Sequence, residues 1–302
     1  MAGATTTTAS AALQNIYNAE FAKTFYDDAP LMGSFRKIQS QGGKYYSWFV
    51  HSAGNTSTAE FDEGEGAANP GYVTKAGLSI AYKSFRTMVQ VTGHLRDAVR
   101  GGYYDAVEDE MQGGKMALIH DIEETFASDL ESAIDDGTSY AGVTRATYDL
   151  TSVVTAGGSA ALTNAMLRET WEDLQLGNAN HVQNIGELQL WSAQEQATAY
   201  SQIADASGGV YLSKQLGQGP LDTGRLQGGL AFNRAAWNVV PTLTNTNILF
   251  VAPSNVMIVE HRPVTVDLYA KNDDSDTYAI TWAGCLVVKN PAKAAKIEAL
   301  AA

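Results

Sequence analysis

Glu60-Phe61-Asp62-Glu63-Gly64-Glu65-Gly66 is the acidic, glycine-rich centre of the stretch 39–93, and the reading of that stretch decides the fold. Strand-forming sequence flanks it on both sides. Gly42-Gly43 opens a run from Lys44 to His51 that holds Tyr45, Tyr46, Trp48, Phe49 and Val50. Tyr72 to Thr92 returns with Leu78, Ile80 and Tyr82 in alternation, then Met88, Val89 and Val91. Aromatic and β-branched residues at period two are the mark of strands. The pattern predicts one long two-stranded ribbon with a polar tip over Ser52 to Pro70. A lone hairpin is marginal in water, and this one has little core of its own. Something outside the subunit is therefore expected to cover it, which points to a chain that assembles with copies of itself and away from a self-contained enzyme.

A long helix follows the ribbon. Val107, Met111, Leu118, Ile122, Phe126 and Leu130 recur at spacings of four and seven, an apolar stripe ending near Asp135, with Glu108, Asp109, Glu110, Glu123 and Glu124 expected on the opposite face. Gly113-Gly114 interrupts the stripe. Each glycine costs about 1 kcal/mol inside a helix, so the pair reads as a break or a built-in bend, and the bend is the expectation carried forward. Before the ribbon, Leu13, Ile16, Tyr17, Phe21 and Phe25 predict a short amphipathic helix on an extended arm. Beyond 138, a Gly/Thr/Ala-rich crossing leads to Thr163, a suitable N-cap for a helix over 164–176 that turns Leu167, Trp171 and Leu174 inward. A strand over 187–191, a helix over 193–203 and a glycine-rich loop over 206–229 complete a middle α/β layer. The last third is strand-rich, with Pro253-Ser254-Asn255 turning between two runs and an acidic loop, 271–277, between two more.

The chain has 302 residues, 45% apolar but only 18% charged, and a net charge of −13. The charged share is below the roughly 25% of ordinary soluble domains, which suits surface buried against partners. An acidic protein does not neutralise phosphates, so direct nucleic-acid binding is not expected, although an acidic wall can enclose nucleic acid and leave it mobile. The single cysteine, Cys285, sits in an apolar run and reads as a buried thiol. The first residues lack the basic and apolar regions of a signal peptide, and no apolar run approaches the ~20 residues of a membrane span, so cytoplasmic production is expected. His51, His94, His120, His181 and His261 form no paired metal motif, and no nucleophile elbow or phosphate loop is present. Neither catalytic nor cofactor-binding nor metal-ligating residues are proposed from the sequence.

In this order the parts resemble the major capsid protein of tailed bacteriophages, the Hong Kong 97-type capsid fold. Two stretches carry the resemblance beside the order itself. They are Met257-Ile258-Val259-Glu260-His261-Arg262-Pro263-Val264-Thr265-Val266, and the terminal strand Tyr278 to Val288 with Lys289-Asn290-Pro291-Ala292-Lys293-Ala294 behind it. The resemblance implies an α+β fold with an N-terminal arm (1–38), an extended β-hairpin loop (39–93), the spine helix of a peripheral domain (94–137), an axial domain (138–255) and return strands of the peripheral and axial domains (256–302). It implies a structural protein, not an enzyme, with no cofactor, whose pentamers and hexamers close an icosahedral shell around double-stranded DNA. Assembly would take place in the cytoplasm of a bacterial host and the product would be the virion capsid. The chain is expected to have no room for a fused scaffolding domain, so a separate scaffolding protein, or none, is implied, together with a portal and a possible decoration protein. An encapsulin-like nanocompartment shell is the alternative within the same fold, and a soluble α/β enzyme the alternative outside it.

Under this reading Tyr45, Trp48, Phe49, Glu60, Asp62, Glu63, Glu65 and Arg86 are the expected inter-subunit contacts, and Gly113 and Gly114 the hinge. The tip carboxylates are expected to face basic residues of a neighbour, such as Arg36, Arg86, Arg96 or Arg100.

Overall fold

A computed structural model describes residues 29–40, 42–53, 72–94, 106–176, 187–206, 231–233, 235–269 and 274–301. The amphipathic segment 13–28, the ribbon tip, Arg96, Arg100 and the loop 207–230 lie outside them. In chain order the elements are α1 (Pro30–Ser34), β1 (Arg36–Gln39), β2 (Tyr45–Ala53), β3 (Thr74–Ala81), β4 (Lys83–Thr92), α2 (Ala106–Ala133), β5 (Ser139–Tyr140), β6 (Val143–Thr144), β7 (Val153–Ala156), α3 (Asn164–Leu176), β8 (Gln189–Ser192), α4 (Gln194–Ala206), β9 (Ala231–Phe232), β10 (Ala235–Val239), β11 (Ile248–Val251), β12 (Val256–Leu268), β13 (Ser275–Val288) and β14 (Ala295–Glu298). Two compact units divide them. One draws on Met1–Lys44, Ala81–Ser128 and Ile258–Leu286, and the other on Tyr45–Ile80, Asp129–Met257 and Val287–Ala302.

The first unit is a four-stranded sheet, ordered β1-β12-β13-β4, with most of α2 against it. The partners β13 and β4 run antiparallel from Ser275↔Thr92 to Gly284↔Lys83. The predicted stripe is the buried one, since Met111, Leu118, Ile122 and Phe126 are all at most 2% exposed. Phe126 meets the Trp282 ring edge-on at 5.6 Å, and Phe85 flanks Trp282 at 6.0 Å. The helix runs unbroken through Gly113-Gly114, so no break divides it. Gly114 is where it comes closest to the sheet. A Cβ there would collide with the Val89 methyl and lie 3.4 Å from Ile280. At Gly113 a Cβ would meet nothing within 4 Å.

One acidic residue departs from its expected face. Glu123 is 3% exposed and turns inward, where its carboxylate accepts the backbone N–H groups of Leu31 at 3.2 Å and Met32 at 3.0 Å. It thereby fixes α1, whose Leu31 and Met32 are buried. Helical periodicity places Glu123 beside Ile122 at the margin of the stripe, and two unpaired N–H groups are reason enough for a carboxylate to turn in.

The return strand of the ribbon also differs from the expectation. It is two strands, not one. β3 pairs with β2, whereas β4 leaves for the first unit's sheet. The switch falls at Tyr82, whose N–H reaches the Lys44 carbonyl, whose hydroxyl lies 2.6 Å from Ser40 Oγ and whose ring stacks on His261 at 4.6 Å.

The second unit holds a six-stranded mixed sheet, ordered β7-β14-β11-β8-β10-β9. β10–β8 and β14–β7 are parallel, while β11–β14, β11–β8 and β10–β9 are antiparallel. Thr163 caps α3 as expected, accepting the Met166 N–H at 3.3 Å. Leu167, Trp171 and Leu174 then share one core with Tyr200 of α4 and with Trp237, Ile248, Phe250 and Ile297 of the sheet. Trp171 meets Phe232 edge-on and Tyr200 stacks on Trp237 at 4.6 Å. The 253–255 turn is a single 3₁₀ turn that begins at a proline, as expected.

Burial pushes the Glu123 carboxyl above its usual 4.5, and the two N–H bonds only partly offset this. A raised folded-state pKa means that its contribution to stability is whole below the unfolded value and is lost as pH rises through the raised one. Glu123→Ala strands two buried N–H groups, so it should lower unfolding stability by about 1–3 kcal/mol at pH 4 and by less at pH 8. Thermal unfolding of the unassembled subunit at both pH values checks this; an equal loss at each would refute it.

Candidate functional site: the ribbon and the cleft beside it

Side chains alternate across a strand, and β2 uses both of its faces. Val50 turns inward with Ala76 and Leu78 of β3 onto Leu150, with Trp48, Tyr140 and Tyr148 packed around them. The ribbon's inner face is thus covered by its own unit, contrary to the expectation that cover must come entirely from outside. The sequence 139–150 forms a tight β5–β6 hairpin that reaches back to it, with Ser79 N–H bonded to the Ala141 carbonyl.

Trp48 is keyed into this unit. Its indole N–H donates to the Lys289 carbonyl at 3.0 Å, and its ring lies against Tyr46 at 6.0 Å and edge-on to Tyr140 at 6.3 Å. Tyr140 in turn uses its hydroxyl twice, donating to the Val288 carbonyl and accepting the Val288 N–H. Over the Tyr140 ring, at 5.2 Å, sits the guanidinium of Arg145. Arg145 is 2% exposed and donates to the Ser132 and Ala133 carbonyls, both at 2.9 Å. Those carbonyls end α2, where a cation is favoured by the helix dipole as well as by its hydrogen bonds. Burial lowers the Arg145 pKa, and the nearby Asp135, Tyr140 and Asp136 act against that shift. Neither Tyr140 nor Arg145 was singled out from the sequence, although Arg145 is the only lysine or arginine between Lys115 and Arg168.

The outer face is exposed. Phe49 is 76% exposed and Tyr45 51%, and just ahead of β3 Tyr72 is 84% exposed. Phe49 leans across the ribbon onto Gly77, its ring 3.3 Å from where a Cβ would stand. Large apolar groups clustered in water usually mark an interaction surface.

Beside the ribbon lies a cleft of about 720 Å³. Trp48, Phe49, Val50 and His51 line it together. Tyr46 lines it as well, and among the described residues the sheet that holds β2 has β3 as its other strand. The opposite wall is rigid. Asn255 donates to the Asn290 carbonyl and accepts the Asn290 N–H, Lys289 N–H reaches the Asn255 carbonyl, and Lys289 Nζ reaches the Ser254 carbonyl at 2.6 Å.

Of the expected contact residues, Tyr45, Trp48 and Phe49 all lie on β2, Tyr45 and Phe49 exposed and Trp48 packed within its own unit. Arg86 belongs to the first unit, exposed on β4 opposite Thr281. Glu60, Asp62, Glu63 and Glu65 lie outside the described residues. Among the described residues no group of three or more His, Cys, Asp or Glu could hold a metal ion, and no helix is long and apolar enough to cross a membrane.

A family model described as SU10 major capsid protein matches residues 2–301. No curated protein matches the chain. Solved structures with a similar fold include the capsid asymmetric unit of cyanophage A-1(L), 14% identical over 91% of this chain and 93% of that one, with a TM-score of 0.64. The capsid of a native GTA particle, computed with C5 symmetry, is 11% identical over 90% of each chain, with a TM-score of 0.63. The capsid of cyanophage P-SCSP1u is 13% identical over 89% of this chain and 86% of that one, with a TM-score of 0.62.

The two faces of β2 should respond differently to substitution. Trp48→Ala removes a part-buried hydrogen bond and a packed ring, and should cost about 2–4 kcal/mol in unfolding of the unassembled subunit. Phe49→Ser removes a ring that is mostly in water and should change stability by about 0.5 kcal/mol or less. Chemical denaturation of both variants provides the check; equal losses would mean that the outer face packs within the subunit after all.

Proposed function

The chain belongs to the SU10 major capsid protein family, and we propose that its mechanism is self-assembly through the ribbon: copies ring into pentamers and hexamers, each laying the bare face of its β2–β3 ribbon on a neighbour. The protein is structural, a shell subunit and not an enzyme, with a capsid-like α+β fold of mixed sheets and one long helix. The observation that carries the mechanism is the division of the ribbon into a face packed by its own unit and a face that exposes Tyr45 and Phe49. The match to a viral capsid family gives the nanocompartment alternative no support.

The finer assignment is to the Hong Kong 97-type fold. In it the first unit corresponds to a peripheral domain with α2 as its spine, the six-stranded sheet of the second unit to an axial domain, and residues 39–93 to the extended loop. The order of elements along the chain supports this. The shell encloses double-stranded DNA without reading its sequence, which the net charge of −13 favours by leaving the polymer unbound at the wall. A separate scaffolding protein, a portal and a decoration protein are the remaining partners, and assembly takes place in the cytoplasm of a bacterial host. Tyr45, Trp48, Phe49, the tip carboxylates Glu60, Asp62, Glu63 and Glu65, and Arg86 make the inter-subunit contacts. Many modest contacts per subunit allow misplaced copies to leave while the closed shell persists.

The paired glycines supply the maturation bend. Gly114 is held against the sheet and Gly113 beside it has open space. Gly113→Ala is therefore sterically free and stiffens the helix by about 1 kcal/mol. Shells of this variant should form and then fail, or slow, in their change of shape, followed by time-resolved electron microscopy. Normal maturation would remove the hinge.

Electron microscopy and size exclusion of the chain, alone and with its scaffold, test the main reading. Closed shells or five- and six-membered rings are expected, and Tyr45→Asp with Phe49→Asp should leave folded subunits that do not assemble. A small stable dimer indifferent to those substitutions would overturn it.

A further inference from the structure

We propose that Ser40, Tyr82 and His261 form a proton-sensitive clasp at the root of the ribbon, which tightens when the His261 imidazole takes up a proton. The proposal stands on the fold alone and does not depend on the shell reading.

The clasp closes the two ends of the ribbon on each other. Lys44 precedes β2, Tyr82 follows β3, and the Tyr82 N–H reaches the Lys44 carbonyl at 3.4 Å. Ser40 is the hub. Its N–H donates to the Glu260 carbonyl at 2.8 Å. Its Oγ accepts the Gly42 N–H at 3.1 Å and lies 2.6 Å from the Tyr82 hydroxyl and 3.5 Å from His261 Nδ1. The exposed His261 ring lies on the Tyr82 ring, with centroids 4.6 Å apart and planes 18° from parallel. A hydroxyl has one proton to give and two lone pairs to receive. With Nδ1 unprotonated, Ser40 donates to it and accepts from Gly42 and Tyr82. With the ring charged, Nδ1–H donates to Ser40, which turns its own proton to Tyr82. Both arrangements fill the hydroxyl, but only the charged one sets a cation over the Tyr82 ring. A charged donor also draws in a long contact such as the one from Nδ1. Histidine is the side chain whose charge ordinarily changes between about pH 5 and 8. The neighbouring charges are engaged elsewhere or screened. On the same strand the Glu260 carboxylate accepts the Trp282 N–H at 2.9 Å, and Arg262 faces Asp267 at 3.8 Å. Lys44 on the preceding loop and Lys83 beside Tyr82 are exposed to water, which weakens their repulsion of a charged ring. Among the described residues the ring's partners are Ser40 and Tyr82, so these two register its proton.

Amide hydrogen exchange in the unassembled subunit tests the clasp, read at the Tyr82 amide at about pH 5.5 and pH 8 and corrected for the intrinsic rate at each. Protection in the native chain should be about two- to fivefold greater at the lower pH, the range expected of a cation over an exposed aromatic ring. His261→Phe keeps a ring for the stack but takes up no proton, and its protection should be the same at both pH values. His261→Arg carries a fixed planar charge and should hold the higher protection at both. Equal protection of the native Tyr82 amide at the two pH values would overturn the proposal. So would a pH dependence that survives in His261→Phe. Glu123, whose carboxyl is raised by burial, is the other group to separate. A dependence at Tyr82 that disappears in Glu123→Gln with His261 intact would assign the effect to that carboxyl and likewise overturn the clasp.

Discussion

A two-stranded sheet has two faces and two edges, and this subunit satisfies only part of its ribbon. Val50, Ala76 and Leu78 bury the inner face on Leu150, and β3 occupies one edge of β2. Phe49, Tyr45 and Tyr72 remain in water. Burial is worth about 25 cal/mol per Å² of apolar surface, so what the ribbon leaves exposed is free energy still to be gained by association. The inner face holds the ribbon on its own unit; the outer face is the one the proposed assembly would cover.

The ribbon can present that face only if its root is firm. Trp48 binds it to the Lys289 carbonyl. Tyr140 links Trp48 to the Val288 backbone, and Arg145 ties Tyr140 to the last carbonyls of α2. These bonds are part-buried or, from Arg145 to the Ala133 carbonyl, buried, and a buried group left without its partner costs about 1–3 kcal/mol. Because the chain of contacts runs through backbone carbonyls, it holds the ends of elements in place more than it holds individual side chains. In the first unit the same economy appears at Glu123, which satisfies the opening N–H groups of α1, and at Gly114, which lets the helix approach Val89.

Much of this was legible in the sequence, for definite reasons. The α2 stripe, the Thr163 cap and the turn at Pro253 are local signals, and local chemistry decides them. The split of the return strand was written in the parity of its apolar residues. Leu78, Ile80 and Tyr82 are even positions, whereas Phe85, Val89 and Val91 are odd. A one-residue shift turns a strand's other face inward, so a change of sheet was encoded where a single strand was expected. Glu123 was harder to place, since a carboxylate on a helix faces water unless distant backbone groups need it, and those of Leu31 and Met32 lie 92 and 91 residues away in the chain. The cover of the ribbon by 139–150 depended on tertiary packing that no periodicity carries. Arg145 signalled itself only by isolation, one basic residue in a long stretch without others.

The central claim is that the ribbon is complete on its inner face in the free subunit and on its outer face only after assembly. Amide hydrogen exchange over residues 45–53 and 74–81, compared between unassembled subunits and purified particles, tests it most directly. The account predicts partial protection in the free subunit, from the bonds between β2 and β3, and a further marked slowing of β2 and β3 amides in particles. Equal exchange in the two states would contradict it, because the ribbon would then gain nothing from its neighbours.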